Sequence, residues 1–247
     1  MLSRPARRPD AVLRYGGHPE QLVDVHLPPQ PLTGGPAAPV VFMVHGGFWR
    51  QTFDRTHTRP LAEALAAAGY VVASPEYRRT GGDGGYPQTL DDVAAALESL
   101  PVLESVAPGR ADLDDVTLAG HSAGGHLVLW AALRPGAPRV RKVVALAPVA
   151  DLVEGHHRRL GDGAVEALMG GSPEDLPEAY AAASPAGWLP GAVPVTVVHG
   201  GRDDRVPAEM SRALAGVELV ELAGTEHFGL IDPLSPAYSA VLAALRS

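Results

Sequence analysis

The chain contains no cysteine. That absence excludes disulfide bonds, thiolate metal sites and a cysteine nucleophile, and it leaves the redox compartment open. Lysine is nearly absent as well, with Lys142 the only one. Acidic residues outnumber lysine and arginine by 28 to 20, for a formal net charge of −8, and the arginines are scattered. This balance argues against a nucleic-acid surface. Apolar runs such as "VVFMV" fall far short of the roughly 20 residues that cross a bilayer. The opening "MLSRPARRPDAVLRYGG" has arginines but no apolar stretch after them. A soluble, cytoplasmic protein without a signal peptide is therefore expected. Aromatic residues make up only 5% of the chain, so a local cluster of them is informative.

What is present is a 46% apolar chain of 247 residues, long enough for one α/β domain with a sizeable core. No internal repeat is visible. A Pro/Gly-rich segment from Pro28 to Pro39 reads as a loop between "LVDVHLP" and "PVVFMVHGG", both strand-like. From there strand and helix patterns alternate. "PVVFMVH" is a continuous apolar run, as expected of a strand buried on both faces. "RPLAEALAAAG" is helical with a glycine stop, "YVVASPEYR" a strand, and "YPQTLDDVAAALESL" a helix with Thr89 as its cap. "DDVTLAG", "RKVVALAPV", "VPVTVVHG" and "VELVELA" are strands. "SAGGHLVLWAALR", "PAEMSRALAG" and "SPAYSAVLAALRS" are helices. The alternation predicts a mostly parallel sheet with helices on both faces. Residues 151–191 break the pattern and read as a small helical insertion, a cap. Chemistry in such sheets gathers at the carboxyl ends of the strands.

"GHSAG" (Gly120 to Gly124) matches G-x-S-x-G between a predicted strand and a predicted helix. That context makes it a nucleophile elbow: the sharp turn exposes the Ser122 hydroxyl, and the helix aims its positive end at a developing oxyanion. A glycine turn with a capping serine is the plainer alternative. Serine needs a base and an orienting acid, in the chain order Ser, Asp or Glu, then His on this architecture. Ten histidines are present, but only His199 and His227 follow the elbow helix and the insertion. His199 leaves no room for an acid loop ahead of it, so His227 in "GTEHFG" is the expected base. "HGGRDDRVP" supplies two adjacent candidates for the acid, Asp203 and Asp204, which an ordinary Asx turn would also explain. "HGGFW" (His45 to Trp49) follows the first buried strand, where an oxyanion loop belongs. The amides of Gly47, Phe48 and Ala123 are the expected oxyanion donors. Phe48 and Trp49 are expected pocket walls, with the core as their alternative place. A cleft with Trp49, Trp188 and Phe228 around Ser122 would suit an aromatic substrate.

"HGGFW", "GHSAGGHL", "HGGRDDRVP" and "EHF" resemble the α/β-hydrolase superfamily, from about His45 to His227. The closest resemblance is to its kynurenine formamidase (arylformamidase) and esterase branch, whose oxyanion motif is H-G-G-x-W. The resemblance implies an α/β-hydrolase fold with Ser122 as nucleophile and His227 as base. Its H-G-x-x-D-x-x-V-P pattern places the triad acid at Asp203 rather than Asp204. Phe48 and His121 depart from the H-G-G-G and G-D-S-A-G-G of hormone-sensitive-lipase-like esterases. The expected activity is hydrolysis of small carboxylic esters or N-formyl aryl amides, with no cofactor or metal and a small-molecule substrate as the partner. A prolyl-oligopeptidase-type peptidase and a non-catalytic ligand-binding module are the rival readings.

Overall fold

The computed structural model describes residues 4–29 and 36–247. The expected loop at Pro28–Pro39 thus lies partly outside the described residues. In chain order the strands are β1 (Ala11–Arg14), β2 (Leu22–His26), β3 (Ala38–Val44), β4 (Val71–Pro75), β5 (Ala111–His121), β6 (Lys142–Leu146), β7 (Val195–Gly200) and β8 (Glu218–Leu222). Between them run the helices α1 (Arg59–Ala67), α2 (Gln88–Glu98), α3 (Ala123–Leu133), α4 (Leu152–His157), α5 (Leu160–Met169), α6 (Pro177–Ala183) and α7 (Ala208–Arg212), and α8 (Tyr238–Arg246) ends the chain. The strands form one sheet in the order β1-β2-β4-β3-β5-β6-β7-β8. The pairs β1–β2 and β2–β4 are antiparallel; from β4 to β8 the neighbours are parallel.

The continuous apolar run of β3 has a direct cause. Val40, Phe42 and Val44 enter one core, beside α2 and α3. Val41 and Met43 enter a second core on the opposite face, beside α1 and α8. Because side chains alternate along a strand, burial on both faces requires every residue to be apolar. The insertion between β6 and β7 is helical, built from α4, α5, α6 and a 3-10 turn at Pro185–Trp188.

Three details depart from the sequence reading. β1 is an additional edge strand, half-buried and exposed by turns, without the apolar run that would announce it. Thr89 is not the cap of α2 but its second residue. Its hydroxyl accepts from the Gly85 N–H and donates to the Arg78 carbonyl, tying the helix start to the preceding loop. α7 covers only Ala208–Arg212: Ala213 caps it with a last bond to the Glu209 carbonyl, and the Leu214 N–H turns back to Ser211.

Candidate active site

Four chain segments meet where the parallel strands end. β5 runs straight into α3, and Ser122 at their junction has φ 57° and ψ −117°. A non-glycine residue with positive φ costs on the order of 1–3 kcal/mol and persists only where its surroundings dictate it. Here the Ser122 N–H is held by the Leu146 carbonyl at 2.8 Å, and its carbonyl accepts from His126 at 3.1 Å. Gly124 is required by packing: a Cβ there would lie 2.1 Å from the Val44 carbonyl oxygen. The elbow helix therefore sits directly on the end of β3.

The loop after β7 carries Asp203. Its Oδ1 accepts the N–H groups of Arg205 and Val206, both at 2.8 Å, which makes the expected Asx turn. Its Oδ2 lies 2.6 Å from His227 Nδ1. Burial would raise this carboxyl's pKa, but bonds from His199 and His227, the His227 charge and the Val206 N–H hold it well below the usual carboxylate range. Asp203 thus remains an anion that accepts from Nδ1–H, which leaves His227 Nε2 as the free basic nitrogen. Asp204 points away, with a side chain 72% exposed.

His227 is buried at the start of a 3-10 turn, His227–Ile231. Its carbonyl accepts from His121 Nε2 at 3.0 Å, and the two rings lie 4.4 Å apart. Burial first, then the nearby His227, keep the His121 imidazole neutral far below its ordinary titration range. His199 packs against Asp203. Its Nε2 bonds to the Val206 carbonyl at 2.9 Å and lies 3.4 Å from Asp203 Oδ2, while Nδ1 meets the Ser211 hydroxyl at 2.7 Å.

The loop after β3 brings Gly47 (φ 112°) and Phe48 (φ 52°) beside the elbow. A Cβ at Gly47 would lie 2.4 Å from Phe53 Cβ, so only glycine fits. The first N–H groups of α3, Ala123 included, lack an intrahelical acceptor. Beneath the loop, His45 Nε2 donates to Glu76 Oε1 at 2.8 Å, and Tyr77 stacks on the His45 ring and donates to its carbonyl at 2.9 Å. Burial would raise the Glu76 carboxyl, but His45, Arg79 and the Arg55 N–H bring it down to about 2.

Gly47, Phe48, Ser122, His227 and Phe228 line one cleft of about 320 Å³. Trp49 and Trp188 do not. Trp49 also has positive φ (54°), which turns its side chain inward; it is fully buried, edge-on to His126 at 5.3 Å. Trp188 belongs to the last turn of the insertion, which packs on α3. The remaining lining is Arg50, Phe53, His57, His121, Gly161, Asp162 and Arg205. Sequence reading left most of these out. Phe53 and His57 lie in a short irregular stretch fixed by Asp54, Asp24 and Glu76 rather than by any apolar period. The adjacency of Arg205 to the acid was the one available signal. Among the described residues no group of three or more His, Asp or Glu side chains is arranged to hold a metal ion. None of the described helices is long and apolar enough to cross a membrane.

Comparison with known proteins places this geometry in a family. Esterase LipQ of Mycobacterium tuberculosis is 32% identical over 216 residues, covering 81% of this chain and 50% of its own. The kynurenine formamidase of Drosophila melanogaster is 32% identical over 138 residues, covering 54% of this chain and 42% of its own. The chain spans about half the length of the curated relatives it matches. The crystal structure of esterase B from Lactobacillus rhamnosis superposes with a TM-score of 0.76 at 25% identity, covering 98% of this chain and 86% of that one. The fold is that of the α/β-hydrolases. A family model described as BD-FAE matches residues 23–217, from β2 to the residue before β8, and so takes in the elbow, the acid loop and the glycine loop. The chain belongs to the BD-FAE family.

Proposed function

We propose that the protein is a serine hydrolase that cleaves small carboxylic esters through an acyl-enzyme. The observation that carries this reading is the 2.6 Å contact between Asp203 and His227 Nδ1, on a cleft that His227 shares with the strained Ser122. With Nδ1–H committed to Asp203, His227 Nε2 accepts the Ser122 proton as Oγ attacks the ester carbonyl. The amides of Gly47, Phe48 and Ala123 stabilise the tetrahedral oxyanion. His227 then returns the proton to the leaving alcohol, and water hydrolyses the acyl-Ser122 bond by the reverse sequence. The esterase LipQ and esterase B likenesses support the ester class.

N-formyl aryl amides are the second substrate class. The phenylalanines at 48, 53 and 228 around the cleft favour a flat aromatic substrate, and the kynurenine formamidase likeness supports it. The test pairs a fluorophosphonate probe with two assays, on p-nitrophenyl acetate and on N-formylkynurenine. Labelling at Ser122, and loss of both labelling and turnover in Ser122→Ala, are expected. An unlabelled wild-type protein would favour the binding-module reading, and wild-type-like rates in Ser122→Ala would sink the proposal. The ratio of the two rates decides between ester and formamide.

A further inference from the structure

A second hollow of about 540 Å³ lies beside the cleft, lined by Arg50, Gln51, Thr52, Thr80, Gly81 and Ala167. Arg50 is the one residue that also lines the 320 Å³ cleft containing Ser122 and His227. Arg50 therefore borders both spaces.

Two features hold it there. The Arg50 guanidinium donates to the Gly161 carbonyl and, at 3.4 Å, to that of Asp162. Gly161, Asp162 and Gly163 all have positive φ, a left-handed turn at the start of α5. The Phe48 ring closes on the same turn: a Cβ at Gly161 would lie 2.7 Å from it. The Arg50 backbone is anchored separately. Its N–H donates to Gly47 at 3.0 Å, and the flanking residues Gln51 and Trp49 exchange hydrogen bonds with Thr80 at 3.0 and 2.8 Å. Removing the side chain thus takes away the barrier while leaving the loop's own bonds in place.

We propose that Arg50 is a specificity-determining residue: its side chain, fastened to the cap turn, forms the end wall of the substrate cleft and limits the length of chain the cleft accepts. The inference rests on the serine-hydrolase reading. With the wall in place, the cleft beside Ser122 and His227 offers about 320 Å³ on its side of Arg50. Without it the cleft continues into a hollow walled partly by small residues, Gly81 and Ala167, along which an alkyl chain can lie.

The test measures kcat/KM for two ester series, the 4-nitrophenyl acetate, butyrate and octanoate, and the ethyl, butyl and octyl acetates. The first lengthens the acyl side and the second the alcohol side. Arg50→Ala is expected to raise the ratio of longest to shortest substrate at least fivefold in one series, which also reports the side the wall bounds. Ala167→Phe added to Arg50→Ala refills the second hollow and is expected to return the ratio to the wild-type value. A smaller rise in both series overturns the proposal, as does a gain that survives Ala167→Phe. If Arg50→Ala fails to fold, Arg50→Ser carries the same measurement, because it also removes the long side chain while keeping a short polar group on the loop. Failure of the underlying reading looks different: the wild type would cleave none of the six esters and Ser122 would not be labelled.

Discussion

Asp203 does two things with two oxygens. Oδ1 closes the turn onto Arg205 and Val206, and Oδ2 faces His227. Asparagine keeps an oxygen for the turn but presents an amide where His227 needs an acceptor. Asp203→Asn is therefore expected to fold with a lowered melting midpoint, because the carboxylate that its site holds well below the usual range is lost, while kcat falls by roughly four decades, the size of a tautomer error in a serine triad. Asp204→Asn alters a carboxylate that is 72% exposed and 3.5 Å from Arg205, and kcat is expected to stay within about threefold, as for an exposed pair. Steady-state kinetics on the two variants side by side checks both, and a loss of that size at Asp204 alone would move the acid to Asp204. At this scale the meeting of Asp203 with His227, and of His227 with Ser122 on one cleft, was legible in the sequence. Chain order and elimination among the histidines pointed to Ser122 and His227, and the H-G-x-x-D pattern separated the two aspartates. Trp49 takes the core rather than the pocket wall, the two places the sequence left open for it: its letter announces an aromatic beside the glycine loop, but not the positive φ that accompanies its burial.

At the scale of elements, the strand ends were readable because β-period apolar runs and glycine turns are local signals. What holds the glycine loop was not, since it joins residues far apart in sequence. Glu76 at the end of β4 accepts from His45 and from the Arg55 N–H, and lies 3.0 Å from Arg79. The "EYR" of the β4 segment carries no sign of this pairing across the sheet. Glu76 is buried and its pKa is brought down to about 2 from 4.5. A depressed carboxyl stabilises the fold above its unfolded value and loses that contribution as pH falls. The window is therefore about pH 4.5 down to 2. Glu76→Ala leaves the buried His45 Nε2–H and the Arg55 N–H without their acceptor, while Arg79 keeps Glu20 and Arg55 keeps Asp24, and is expected to cost about 1–3 kcal/mol in a denaturant melt at pH 7. Glu76→Gln keeps one acceptor oxygen, enough for the Arg55 N–H or for His45 but not for both, so it is expected to cost less than Glu76→Ala and to flatten the stability profile below pH 4.5. A Glu76→Gln profile as steep as the wild type's would show that other carboxyls carry that window.

Across the whole molecule, packing both faces of the sheet encloses histidines that no local pattern marks as buried. His126 on α3 is fully buried, gives Nε2–H to the Ala183 carbonyl of the insertion at 2.8 Å, and has a buried Nδ1 without a partner among the described residues. Burial lowers its pKa from 6.5 to about 4, against the opposing pull of that carbonyl. His57 falls to about 4 as well, from burial and the neighbouring His45, and burial lowers His121 too. For a base the sign is the following. Between pH 6.5 and 4 the unfolded chain binds protons at these positions and the folded one does not, so stability drops as pH falls through that window. Every tenfold weakening of proton binding is worth about 1.4 kcal/mol, so His126 alone accounts for a loss on the order of 3 kcal/mol. This acid limb begins some two pH units above that of Glu76, and the two separate on a plot of stability against pH. His126→Gln removes the titrating group while retaining a donor for Ala183. Chemical denaturation at half-unit steps from pH 7 to 4 is expected to show a shallower slope in this variant, whatever its absolute stability at pH 7. An unchanged slope would mean that His126 protonates in the folded protein without loss, and that the α3–insertion contact opens before the sheet does.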